Sequence, residues 1–130
     1  MVFIDASNVG LSATESPEAI EGDADMMARL DAIRRSAGVC MGIANSVEDV
    51  PLTNPRIGLL AGPSEFTALD GSRLAPDEQD ITVRILSLNN VHRVSPLTSA
   101  LCLAAASRIE GSIPNKLARQ TNANLRVGTP

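Results

Sequence analysis

Residues 97–109, LTSALCLAAASRI, constrain this chain more than any other stretch. On helical spacing Leu97, Leu101, Ala104 and Ala105 share one side, while Ala100, Leu103 and Ala106 cover the others. A helix that is apolar nearly all round belongs in an interior rather than on a surface. Its many small residues let neighbouring strands approach the backbone closely. A helix wrapped by a curved sheet satisfies both demands.

Just before it stands a polar cluster that a packed core alone does not explain: His92, Arg93, Ser95-Pro96, then Thr98 and Ser99. Ser95 suits an N-cap with Pro96 at the first helical position. Free amides, hydroxyls and the positive end of the dipole together favour a carboxylate or phosphate. His92 and Arg93 add a donor and a charge. The plain alternative is that Ser95 only caps the helix and His92 ends a strand, bonded to a carbonyl.

Around this segment the pattern reads α+β. VFIDA (2–6), RIGLLAG (56–62), DITVRILSL (80–88) and LRVGTP (125–130) read as strands. In the third, Ile81, Val83 and Ile85 alternate with Thr82, Arg84 and Leu86, which predicts one buried face. A helix begins near Asp23, with Met26, Leu30, Ile33 and Ala37 at helical spacing and Gly38 as its stop. Residues 7–22, 45–55, 64–79 and most of 110–124 read as connections, with a possible helical turn near Lys116, and Asn89-Asn90 as a turn. Strands and two helices alternate without βαβ regularity, so a doubly wound sheet is disfavoured.

Composition narrows the function. Two phenylalanines are the only aromatic residues, so base stacking on aromatic rings is not available. The net charge is −4, with an acidic first half, so nothing tracks a phosphate backbone and no nucleic acid is expected. Cys40 and Cys102 lack metal spacing, and with a single histidine no metal is expected. Both thiols read as inert core cysteines. No membrane span or leader is evident, so a cytoplasmic protein is expected. At 130 residues the chain is expected to form a single domain.

The stretch DITVRILSLNNVHRVSPLTSALCLAAASRIEGSIPNKL resembles the second half of the PrpF family. VFIDASNVGLSATE is similar to the segment opening that family's second domain, and LDAIRRSAGVCMGIA to its next helix and turn. LRVGTP resembles a family strand that ordinarily continues into a Ser-Gly step. The likeness runs through nearly the whole chain in one order. It implies one half of a diaminopimelate epimerase-like fold: a curled, mainly antiparallel sheet around a central apolar helix, with the site in the cleft between halves.

The resemblance also implies chemistry. The family includes 2-methylaconitate isomerases, aconitate isomerases and 4-oxalomesaconate tautomerases, which shift a proton in small unsaturated di- or tricarboxylic acids. Its proton-transfer lysine and cysteine sit mainly in the first half, and neither carries over here; Lys116 lies outside the matching motifs. What carries over is binding, by His92, Thr98 and Ser99, so no catalytic residue is assigned. The expected partners are a small polycarboxylate, the N-terminal half and a second copy, with no cofactor. Two readings stay open beside this one: an inactive binding or scaffold remnant, and a racemase. The latter is disfavoured because Ser95, Pro96 and Leu97 stand where the epimerases place a second cysteine.

Overall fold

A computed structural model describes residues 1–119 and 124–130. Eleven helices and strands follow in order: β1 (Val2–Asp5), α1 (Pro17–Glu21), α2 (Ala24–Cys40), β2 (Ile57–Ala61), β3 (Phe66–Thr67), β4 (Arg73–Leu74), β5 (Ile81–Ser87), β6 (Asn90–Val91), α3 (Leu97–Ala106), α4 (Ile113–Leu117) and β7 (Val127–Gly128). Short 3-10 turns occupy Ala6–Val9 and Pro76–Glu78.

The sheet is mixed. β1 runs parallel to β2, with Val2 opposite Ile57, and β2 runs antiparallel to β5, with Ile57 opposite Leu86. The other edge of β5 is divided between two short strands: β6 antiparallel at Leu86–Ser87, β7 parallel at Ile81–Thr82. β3 and β4 form a separate small hairpin.

Alternation along the strands feeds a core on each side of this sheet. Ile4, Ile57, Leu59 and Leu86 face α1 and α2, meeting Ile20 and Leu30. Leu60, Ile81, Val83 and Ile85 face the other way and meet Leu103 of α3 and Ala118 after α4. The α+β class is as the sequence indicates. The single buried face expected for β5 is a correction, because all seven of its residues are buried. Its polar members survive burial by bonding. Arg84 donates to the carbonyls of Pro130 and Glu15, and the Thr82 hydroxyl bonds Gly62 O and Gln79 Oε1. Below it, Asp80 takes bonds from the Arg126 backbone and guanidinium, which hold its carboxyl below the usual carboxylate range.

The expected helix start at Asp23 holds: Asp23 caps α2 by accepting from Met26 N at 2.9 Å. Gly38 does not stop it, and α2 continues to Cys40. The glycine is there for contact, since a Cβ at that position would meet Val50 Cγ1 at 2.6 Å. Arg34 is buried and bonds Asp31 and the Pro51 carbonyl. Of two further short helices, α1 falls in a segment expected to be a connection, and α4 stands where a helical turn near Lys116 was expected. α1 starts at Ser16-Pro17 and α4 at Ser112, each serine capping its own first turn. The part of the expected connection at 120–123 lies outside the described residues.

α3 ends at Ala106 rather than at residue 109. Ser107 Oγ bonds the Ala104 carbonyl and Ser112 Oγ the Ala106 carbonyl, so hydroxyls take up the last acceptors of the helix. Within this chain α3 is covered on one side only. Leu103 is fully buried and Ser99 1% exposed, whereas Leu97 is 75% and Leu101 62% exposed.

Candidate functional site

The first turn of α3 is where the sequence placed its polar cluster. Its cap differs from expectation. Pro96, with ψ at 138°, is the cap residue, and no side chain bonds the free amides from there. With Pro96 outside the helical region and without a side-chain acceptor, the helix starts one residue later than a Ser95 cap requires. Ser95 Oγ is buried without a hydrogen-bond partner.

The sheet register brings a row of side chains under this helix. Arg56 precedes β2 and, by continuing the β2–β5 pairing, stands opposite Ser87 at the end of β5. Continuing the β1–β2 pairing sets Met1 beside Arg56, whose carbonyl accepts from Val2 N at 2.8 Å. Arg56 Nη1 donates to the Ser99 hydroxyl at 3.3 Å, joining strand end to helix start. Met1, Asn54, Arg56, Thr98 and Ser99 line an open hollow of about 190 Å³.

His92 stands behind this wall. Its amide donates to Ile85 O at 2.8 Å, continuing the β5–β6 ladder. The ladder is pinned to α1 because Glu21 accepts from Val91 N and from Arg93. The Val91 amide and Arg93 hold the Glu21 carboxyl below its ordinary value. The His92 ring is half-buried, and its Nε2 lies 2.5 Å from Ser87 Oγ. Burial first, and then the Arg56 charge, lowers the His92 pKa from 6.5, so the ring favours its neutral form.

The structure therefore brings Thr98 and Ser99 together with a residue the sequence did not single out, Arg56, and sets His92 beside that arginine rather than in the hollow's wall. Arg56 is half-buried yet has no carboxylate partner among the described residues. Arg34, Arg35, Arg73, Arg93 and Arg126 each reach one. A guanidinium and two hydroxyls at the positive end of a helix are suited to an oxyanion. Among the described residues, the side chains that line the hollow include no thiol, amine, imidazole or carboxylate.

The remaining candidates lie elsewhere. Lys116 is exposed on α4. Cys40 is exposed and Cys102 half-buried, so neither is the core thiol expected from sequence: Cys40 closes α2 at the surface and Cys102 neighbours the uncovered side of α3. Among the described residues no cluster of three metal-ligating side chains comes together, and no helix is long and apolar enough to cross a membrane.

The family described as PrpF protein matches residues 1–130. The 3-methylitaconate isomerase of Eubacterium barkeri is 28% identical over 99% of this chain and 36% of its own length. The 2-methyl-aconitate isomerase of Shewanella oneidensis is 27% identical over 88% of this chain and 29% of its own. The crystal structure of methylitaconate-delta-isomerase superposes with a TM-score of 0.91 at 28% identity, over 97% of this chain and 34% of that one. The chain spans about a third of the length of the curated relatives it matches.

Proposed function

The chain belongs to the PrpF family, and on that premise we propose that it forms part of an isomerase or tautomerase. The enzyme moves a proton across an allylic or keto–enol system in small unsaturated di- or tricarboxylic acids. The names of the relatives support that substrate class. This chain's own contribution is to hold a substrate carboxylate in the hollow at the start of α3. Arg56 supplies the charge, Thr98 and Ser99 the hydroxyls, and His92 stands close by.

The observation that carries this reading is a half-buried guanidinium with only a neutral hydroxyl for company, set against the positive end of a helix. Two positive features facing each other are stabilised by an anion between them. The acid and base of the reaction come from a segment outside this domain, because no side chain that lines the hollow offers either. Residues 1–130 then act as a single binding domain, the second half of the family fold.

An NMR titration with trans-aconitate, an unsaturated tricarboxylate, tests the proposal. The amides of Leu97, Thr98 and Ser99 are expected to shift together and saturably, with no isomerisation by this chain alone. Shifts confined to other surfaces would end the carboxylate assignment. Turnover by the chain alone would end the placement of the acid and base elsewhere. The same lack of an acid–base pair favours, as the second reading, a binding domain with no catalytic role. It is separated from the first by whether a lysine- and cysteine-bearing partner segment restores turnover.

A further inference from the structure

We infer that Ser87 is a positioning residue for His92: its hydroxyl donates to Nε2 and fixes the ring in the Nδ1–H form, a neutral donor beside Arg56. This rests on the hollow being a carboxylate site, and it assigns a role to a residue outside the hollow's wall.

Hydrogen-bond bookkeeping within the cluster gives the direction of the bond. Ser87 is 8% exposed, and its Oγ contacts His92 Nε2 at 2.5 Å. That ring nitrogen is the one partner found for the hydroxyl among the described residues. If Nε2 carried the proton and donated it, the hydroxyl's own hydrogen would be left in a buried place without an acceptor. An unpaired buried donor costs more than an unused lone pair. The hydroxyl therefore gives its hydrogen to the ring, and Nε2 accepts with its lone pair. The ring proton then sits on Nδ1, for which no partner is found among the described residues.

The surroundings agree with a neutral ring. The one charge that acts on His92 from the strands beside it is Arg56, and it opposes a second positive charge. The neighbouring Arg93 is turned toward α1 and engaged by Glu18 and Glu21. From α3 the Ser99 hydroxyl accepts from Arg56. With the ring neutral, the site keeps one cationic anchor and gains a directed donor.

The test uses the fact that His92 is the only histidine in the chain, so one imidazole signal reports on it. Long-range nitrogen–proton correlation at pH 8 is expected to show a protonated Nδ1 and a bare Nε2. Ser87→Ala is expected to release the ring to the Nε2–H form, and Ser87→Thr to restore the original pattern. A wild-type ring protonated on Nε2, or a pattern indifferent to Ser87→Ala, overturns the inference.

Affinity for trans-aconitate supplies the second arm. Ser87→Ala is expected to weaken it about fivefold, the worth of one neutral hydrogen bond, and Ser87→Thr to recover most of that. If Arg56→Gln abolishes binding while Ser87→Ala leaves it unchanged, the positioning role is overturned and the hollow stands. If the unaltered chain binds nothing, the hollow fails and the role with it.

Discussion

Arg56 reaches from the start of β2 to the Ser99 hydroxyl in the first turn of α3, a bond of 3.3 Å across 43 residues of sequence. It is a long bond from a charged donor to a neutral acceptor, and it leaves most of the guanidinium's donors to be used. The arginine is therefore held in direction without being satisfied. A small carboxylate completes what Ser99 begins.

Arg56→Gln keeps much of the side chain's shape and removes its charge. Affinity for a tricarboxylate is expected to fall about tenfold or more, the range for a lost charge-assisted hydrogen bond. Calorimetric titration at low and high salt checks this, and the salt dependence seen in the wild type should shrink in the variant. Equal salt dependence in both proteins would place the anion elsewhere.

His92 makes folding stability depend on pH in a defined direction. Its folded pKa is lowered from 6.5 by burial and by the Arg56 charge, so near neutrality the unfolded chain binds more protons than the folded one. The stability it leaves intact is full above the unfolded value and declines as pH drops from there toward the lowered folded one. Asp80, held down by Arg126, adds a loss of the same sign only nearer the carboxylate range, roughly pH 4 and below. Urea midpoints measured from pH 8 to pH 5 should fall in the wild type and fall less in His92→Gln. A flat wild-type profile over that interval would contradict the lowered histidine.

Two leucines of α3, two positions apart, should behave very differently. Leu103 is fully buried against the sheet and Leu101 is 62% exposed. Leu103→Ala is expected to cost about 2–5 kcal/mol, the range for a cavity in a packed core. Leu101→Ala is expected to stay within about 0.5 kcal/mol. Denaturant unfolding of both variants checks the orientation of the helix on this domain. Similar costs for the two would mean that something covers the outer side.

Gly38 sets a packing demand against a helix preference. Alanine favours a helix interior by about 1 kcal/mol over glycine, but here its Cβ would meet Val50 Cγ1 at 2.6 Å and Cγ2 at 2.9 Å. Val50 is itself buried and has no long flexible end to swing aside. Gly38→Ala is expected to destabilise by about 1–3 kcal/mol. In a Val50→Ala background the same change should become neutral or stabilising, which thermal melts of the four proteins would show.

These outcomes divide along the line between what sequence can carry and what it cannot. The long strands and the two long helices show in their own spacing, because periodicity is a local property. Ser16-Pro17 shows the same kind of local cap signal that a starting helix needs, yet a five-residue helix inside a turn-rich stretch leaves too few periods to count. At the site, Thr98 and Ser99 are legible from the start of an apolar helix. Arg56 is not, because its relevance depends on β2 lying between β1 and β5, a pairing no spacing within the chain reveals. The bond between Ser87 and His92 is hidden for a similar reason. It needs the turn at Leu88–Asn89, both at positive φ, to fold β6 back along β5.

The outward side of α3 is the other lesson. Apolarity all round predicts a helix enclosed on every side, and within this chain α3 is not. Here the strands of this chain cover one flank, and Leu97 and Leu101 face outward.

β5 has two working faces, and this leaves it no freedom to slide. Slipping by a single residue would exchange every side chain between the two cores. Arg84 would then leave the carbonyls of Glu15 and Pro130 and be driven among the apolar side chains of Leu60, Leu103 and Ala118. The buried guanidinium thus works as an indexing pin, keeping Ser87 level with Arg56 at the far end of the same strand.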